Sequence, residues 1–198
     1  VSSPARRVEI AAGLRAEAHR LLAESGLFTL LAEHFAEPIV TGSAGYDLMV
    51  WRDIDIHMAV EPERWDDWLQ FGLVLARHFD RLGLPLHRAS YSNDWIEPGP
   101  LGSGLHWDLA LHDRERRAWQ IGLTGWDPFD YAVRQARDFA LRTDLAACDR
   151  DLILRLKTEA RARPDYYDVR VTSHDIYEFC IAGVGDSLSA LEMWKKRH

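Results

Sequence analysis

Two aspartates interrupt an otherwise apolar run, "DIDIHMAV", at residues 53–60, and a glycine-serine turn, Gly42-Ser43, precedes them with nine residues between. Alternation along a strand puts residues i and i+2 on one face, roughly 6–7 Å apart at about 3.3 Å per residue. Asp53, Asp55 and His57 then share one face, and Ile54, Ile56 and Met58 the other. The apolar face explains why the segment is a strand. The acidic face calls for a cation, because neighbouring carboxylates repel and desolvation raises the cost of their charge. A hard divalent cation such as Mg²⁺ takes carboxylate oxygens together with water and phosphate.

A third acid follows in "GLHWDLALHD" (104–113), where alternation places His106, Asp108, Ala110 and His112 opposite Trp107, Leu109 and Leu111. Asp53, Asp55 and Asp108, carried on two adjacent strands, would suit two metal ions about 3.5–4 Å apart, the arrangement that supports in-line displacement at phosphorus. Gly42 lets the backbone approach a phosphate closely, and Ser43 offers a hydroxyl and an N–H at an expected helix start, where free donors and the dipole favour anions. Asp47, close behind, would oppose phosphates if it faced them.

Other residues have bland readings beside functional ones. Arg52 and Arg88 could reach a phosphate. Lys157 could touch a triphosphate, although a solvated helix face is the default for it. His57, His106 and His112 lie on the acidic faces in positioning or exposed roles. Trp65 and Trp68 suit the core side of one helix, and Trp51, Trp95 and Trp126 fall near the site or in loops. No H-x-x-x-H or H-E-x-x-H spacing is present, which removes the usual zinc-hydrolase pattern.

The elements that must position these residues are legible from periodicity. Residues 4–35 read as two helices broken near Gly26. Residues 37–42, 52–60, 84–93, 104–113 and 116–124 read as strands, with a helix over 62–83 and a turn-rich loop over 93–104. Residues 129–162 and 173–195 are helix-like, broken around Pro164. This order predicts an α+β fold with a helical C-terminal part, divided as 1–125 and 126–198.

At 198 residues the chain can bury a sizeable core. No apolar run approaches the roughly 20 residues of a membrane span, no signal-peptide pattern opens the chain, and the start at Val1 rather than Met fits either a trimmed chain or one that follows a removed tag. Cys148 and Cys180 offer neither a disulfide framework nor a C-x-x-C pair, and read as buried thiols in a reducing cytoplasm. The net charge of −7 argues against long duplex nucleic acid as partner and is compatible with a small cationic acceptor or a metal-bound nucleotide.

The Gly42-Ser43 turn, the spacer, the apolar-framed Asp53-Ile54-Asp55 and the later Asp108 together resemble the DNA polymerase β-like nucleotidyltransferase superfamily, over roughly residues 36–112. In scale the chain is similar to small bacterial members such as aminoglycoside and lincosamide nucleotidyltransferases. The resemblance implies a mixed sheet flanked by helices, and transfer of an NMP from an NTP to a hydroxyl of a small-molecule acceptor with release of pyrophosphate. It implies that Gly42 and Ser43 hold the triphosphate. Asp53 and Asp55 would bind Mg²⁺ carrying the β- and γ-phosphates and help bind a second ion. Asp108 would ligate that second ion near the acceptor hydroxyl, as its base. The rival reading is a non-catalytic binding or regulatory module of the same fold, antitoxin-like. The acceptor, the base of the NTP and the oligomeric state stay open.

Overall fold

A computed structural model describes residues 3–97 and 102–197. Ser3 caps the first helix, α1 (Pro4–Ser25), and Gly26, in the left-handed region at φ 60°, turns the chain into α2 (Leu27–His34). β1 (Ile39–Thr41) leads into a single helical turn, α3 (Gly42–Gly45), then β2 (Asp53–Ala59). A 3-10 turn (Pro62–Arg64) opens α4 (Trp65–Arg81), followed by β3 (Leu86–Asn93), β4 (Leu105–His112) and β5 (Ala118–Trp126). Four helices complete the chain: α5 (Pro128–Ala146), α6 (Arg150–Arg161), α7 (Ser173–Ala182) and α8 (Leu188–Lys195). The turn-rich loop expected over 93–104 includes residues 98–101, which lie outside the described residues.

The strands form one mixed sheet in the order β1-β2-β5-β4-β3, with β2 and β5 parallel and the other pairs antiparallel. This is the α+β architecture expected, a mixed sheet flanked by helices. One detail differs: β2 and β4 are not adjacent, because β5 lies between them. A parallel neighbour for β2 requires a long crossover. Here α4, β3 and β4 supply it, and the tight β4–β5 hairpin delivers β5 alongside β2.

Two clusters of buried side chains hold the molecule together. In the first, Ile54, Ile56 and Met58 of β2, Trp107 and Leu109 of β4 and Ile121 of β5 pack beneath α1, α2 and α4, with Trp68, Phe71, Leu75 and Phe79 as the buried stripe of α4. Fully burying an aliphatic side chain of this size contributes about 1.5–3 kcal/mol. Trp65 is 47% exposed, against the expectation that it joins Trp68 in the core. It stands in the first turn of α4, about 60° off the buried stripe at 100° per residue. The second cluster joins Ala11 of α1 and Leu48 to the helices α5–α8. Cys180 is buried there, whereas Cys148 is only half-buried and donates to the Asp144 carbonyl. Among the described residues no helix is long and apolar enough to cross a membrane.

Candidate active site

The face of the sheet turned away from the first cluster is polar, and the strand register orders it into rows. One row runs Thr41–Asp55–Gly122–Asp108–Ser90 across all five strands. The next runs Asp53–Gln120–Ala110–Arg88, and on the other side lie His57, Thr124, His106 and Ser92. Asp53, Asp55 and Asp108 therefore share a face, as the alternation predicts. Asp55 and Asp108 are separated by a whole strand, about 9.6 Å at two spacings of about 4.8 Å. Gly122 has no side chain to fill that interval; a Cβ there would lie 3.5 Å from Asp55 Oδ1.

The Gly42-Ser43 turn closes on the same carboxylate. Gly42 takes φ 59°, and a Cβ on it would fall 2.1 Å from Asp55 Oδ2, so only glycine fits. Ser43 is buried. The helix that starts here is one turn long, four residues, so its dipole adds little to the backbone donors themselves. Asp47 does not oppose the site: it pairs with Arg150 at 2.9 Å and Arg15 at 3.6 Å. Arg52 is likewise committed elsewhere, to Glu17 at 2.8 Å.

Two cavities meet at the carboxylates. A cleft of about 640 Å³ lies between the turn and the C-terminal helices, lined by Gly42, Ser43, Asp53, Asp55, Tyr167 and Ser173 among others. A groove of about 450 Å³ opens over β5, β4 and β3, lined by Asp53, Asp55, Asp108, Arg88, Ser90 and Gln120. Asp53 and Asp55 border both.

Lys157, on α6, is the main departure from the sequence reading. It is fully buried, not solvated, and donates to the Leu48 carbonyl at 2.9 Å and the Tyr177 hydroxyl at 3.0 Å. Its ammonium also lies 5.0 Å over Trp51, whose indole N–H donates to Asp53 Oδ2 at 3.3 Å. Its position after Ile153 and Leu154 and before Ala160 puts it on the apolar stripe of α6, a signal present in the sequence. Burial pulls the Lys157 ammonium down to about 7 against the pull of Asp55 and Asp53. Burial, with Asp53 and Asp108 nearby, pushes the Asp55 carboxyl up to about 7, and burial raises Asp53 too.

Asp138 of α5 carried no sequence signal. Its carboxylate accepts from the hydroxyls of both Thr41 and Tyr46, the residues that bracket the turn. Burial, then this acceptor, push the Tyr46 hydroxyl far above its usual range. His57 borders the cleft, edge-on to Trp126, and burial pulls it down to about 4. His106 is held between Thr124 at 3.2 Å and Asp94 at 3.3 Å. His112 faces His87 at 5.0 Å.

Among the described residues no three His, Cys, Asp or Glu side chains already converge on one metal position. The donor set nevertheless fits a divalent cation. Asp53 and Asp55 are half-buried neighbours on one face, and burial together with their mutual repulsion raises the Asp55 carboxyl, a strain that a cation on the shared face would relieve.

No protein-family model matches the chain, and no curated protein does. The chain is similar in structure to Cid1, studied for its RNA terminal uridylyl transferase activity, with a TM-score of 0.48 at 11% identity over 84% of this chain and 45% of that one. It is also similar to Cid1 in complex with the UTP analogue UMPNPP, with a TM-score of 0.42 at 10% identity over 81% and 48%. A chain from the complex between the Type VI effector Tas1 and its immunity protein matches at a TM-score of 0.34 and 13% identity, over 98% and 100%. The chain spans about half the length of the Cid1 structures. At these identities and scores the likeness carries no weight for function, which rests on the residues.

Proposed function

We propose that the chain is a metal-dependent nucleotidyltransferase that moves an NMP from an NTP to a hydroxyl of a small-molecule acceptor, releasing pyrophosphate. The observation that carries this reading is the position of Asp53 and Asp55 on the wall shared by the cleft and the groove, with the Gly42-Ser43 turn on one side and Asp108 on the other. Transfer in line at phosphorus needs the leaving group and the nucleophile on opposite sides of the reacting atom, and two cavities meeting at one pair of carboxylates provide that.

In this reading the triphosphate lies in the cleft, where Gly42 lets the backbone come close and the Ser43 N–H and hydroxyl bind phosphate oxygens. Asp53, Asp55 and Asp108 would hold two Mg²⁺ ions, which when bound neutralise charge at the phosphates and lower the pKa of the attacking hydroxyl. Asp108 orients the acceptor hydroxyl in the groove and takes its proton. The acceptor oxygen forms a bond to the α-phosphorus as the bond to the β-bridging oxygen breaks, and pyrophosphate leaves. Trp51 holds Asp53 in place, and Lys157 limits the repulsion between Asp53 and Asp55. The same reading divides the chain at 125/126, with the helical part closing the cleft.

The test is calorimetric titration of ATP, GTP, CTP and UTP with Mg²⁺ into the wild type and the Asp53→Asn/Asp55→Asn double variant. Metal-dependent binding that the double variant loses is the expected result. Failure of the wild type to bind any of the four would leave the fold and move the reading to the non-catalytic module.

A further inference from the structure

Arg88 is the cation of the 450 Å³ groove, and the reaction outlined above leaves it without a role. It lies on β3, the far edge of the sheet from the Gly42-Ser43 turn. It has no hydrogen bond, ion pair or ring contact among the described residues, although three carboxylates line the same groove. The remaining polar lining beside it, Ser90 and Gln120, is neutral. An exposed arginine in acidic surroundings ordinarily pairs with a carboxylate; here no carboxylate of the groove lies within ion-pair distance, although a diagonal neighbour is within reach of so long a side chain. Ser90 stands opposite Asp108, and Arg88 opposite Ala110, so Arg88 is the diagonal neighbour of Asp108, about 7–8 Å away.

Three strand steps, about 14 Å, separate the strand of Arg88 from that of Asp55. That places the guanidinium on the acceptor side of the reacting centre and away from the triphosphate cleft. Its planar fork matches a phosphate with two parallel hydrogen bonds. Arg88 and Asp108 line one groove from adjacent strands, so a small acceptor lying across β3 and β4 would meet both.

We propose that the groove takes a phosphorylated acceptor, its phosphate on Arg88 and its hydroxyl at Asp108. This inference rests on the nucleotidyltransferase reading and deepens it by naming the acceptor class. The phosphate is that of a small sugar phosphate, in keeping with a small-molecule acceptor.

The experiment is calorimetry on the full chain with Mg²⁺, using ribose 5-phosphate, ribose, ribonate and a short single-stranded oligoribonucleotide, with wild type, Arg88→Ala and Arg88→Lys. Thermal midpoints of the variants serve as the folding control. Ribose 5-phosphate binding at least roughly tenfold tighter than ribose, a preference abolished by Arg88→Ala and partly kept by Arg88→Lys, supports the small ester. Arg88-dependent binding of the oligonucleotide alone, without ribose 5-phosphate, overturns the small-ester acceptor. Equal binding of ribose, equal binding of ribonate, indifference to Arg88→Ala, or no binding of any phosphate probe overturns the inference. The NTP titration is scored separately: NTP binding without Arg88-dependent phosphate binding defeats only this inference, and absent NTP binding defeats the reading beneath it.

Discussion

Asp55 and Asp108 stand at one level of the sheet, on strands that do not touch, and face each other over the bare backbone of Gly122. The gap between them is therefore made by a missing side chain. Gly122→Val should fill it at little cost to the strand, since a Cβ there meets Asp55 only at 3.5 Å and valine favours strands. The expected result is a thermal midpoint within a few degrees of wild type and nucleotidyl transfer reduced at least tenfold. Full activity in a folded Gly122→Val protein would show that the interval is not where reaction occurs.

Gly42 and Gly13 make opposite predictions from the same substitution. At Gly42 an alanine meets both a positive φ and Asp55 Oδ2 at 2.1 Å, so Gly42→Ala should lower stability by about 1–3 kcal/mol and weaken NTP binding. At Gly13, inside α1, nothing lies within 4 Å, and alanine should add about 0.5–1 kcal/mol. Denaturant midpoints of the two variants, moving in opposite directions, are the measurement.

Asp138 ties α5 to both flanks of the Gly42-Ser43 turn. Asp138→Ala leaves the Thr41 and Tyr46 hydroxyls without their acceptor, a loss of about 1–3 kcal/mol. NTP affinity should fall with it, and Asp138→Asn, which keeps an acceptor oxygen, should recover part of both. Unchanged NTP affinity in Asp138→Ala would separate α5 from the turn.

Arg7 and Asp151 join α1 to α6 through two hydrogen bonds, at 2.7 and 2.6 Å. The bond from Arg7 holds the Asp151 carboxyl below its ordinary value. A depressed carboxyl contributes stability above its unfolded value, about 3.9, and loses it as pH falls through the folded one. Arg7→Leu should lower the thermal midpoint at pH 7, and the difference from wild type should shrink below about pH 4. A difference that stays constant from pH 7 to pH 3 would contradict this.

Much of the fold and site is readable along the chain because it depends on local periods. Alternation at "DIDIHMAV" is a two-residue period whose apolar half has to be buried, so the acidic half has to share the other face. The same holds for Asp108. Lys157 was also readable, from its place on the apolar stripe of α6; the ordinary preference of lysine for water outweighed that signal. Asp138 was not readable in this way, and Arg88, readable as a residue that could reach a phosphate, was not readable as a neighbour of Asp108. Each lies far along the chain from the groups it faces or adjoins, and no local period links the two.

By its own periodicity and spacing, the sequence determined the strands, the helical character of the C-terminal part though not its breaks at 147–149 and 183–187, the shared face of Asp53 and Asp55, and the need for glycine where the chain turns beside them. Only the tertiary structure decided that β5 separates β2 from β4, that Gly122 opens the interval between Asp55 and Asp108, and that Lys157 is buried under Trp51 with its ammonium on the Leu48 carbonyl and the Tyr177 hydroxyl. The reason is physical. Side-chain direction within an element follows from backbone geometry over a few residues, whereas which elements become neighbours depends on how the whole chain buries its apolar faces at once.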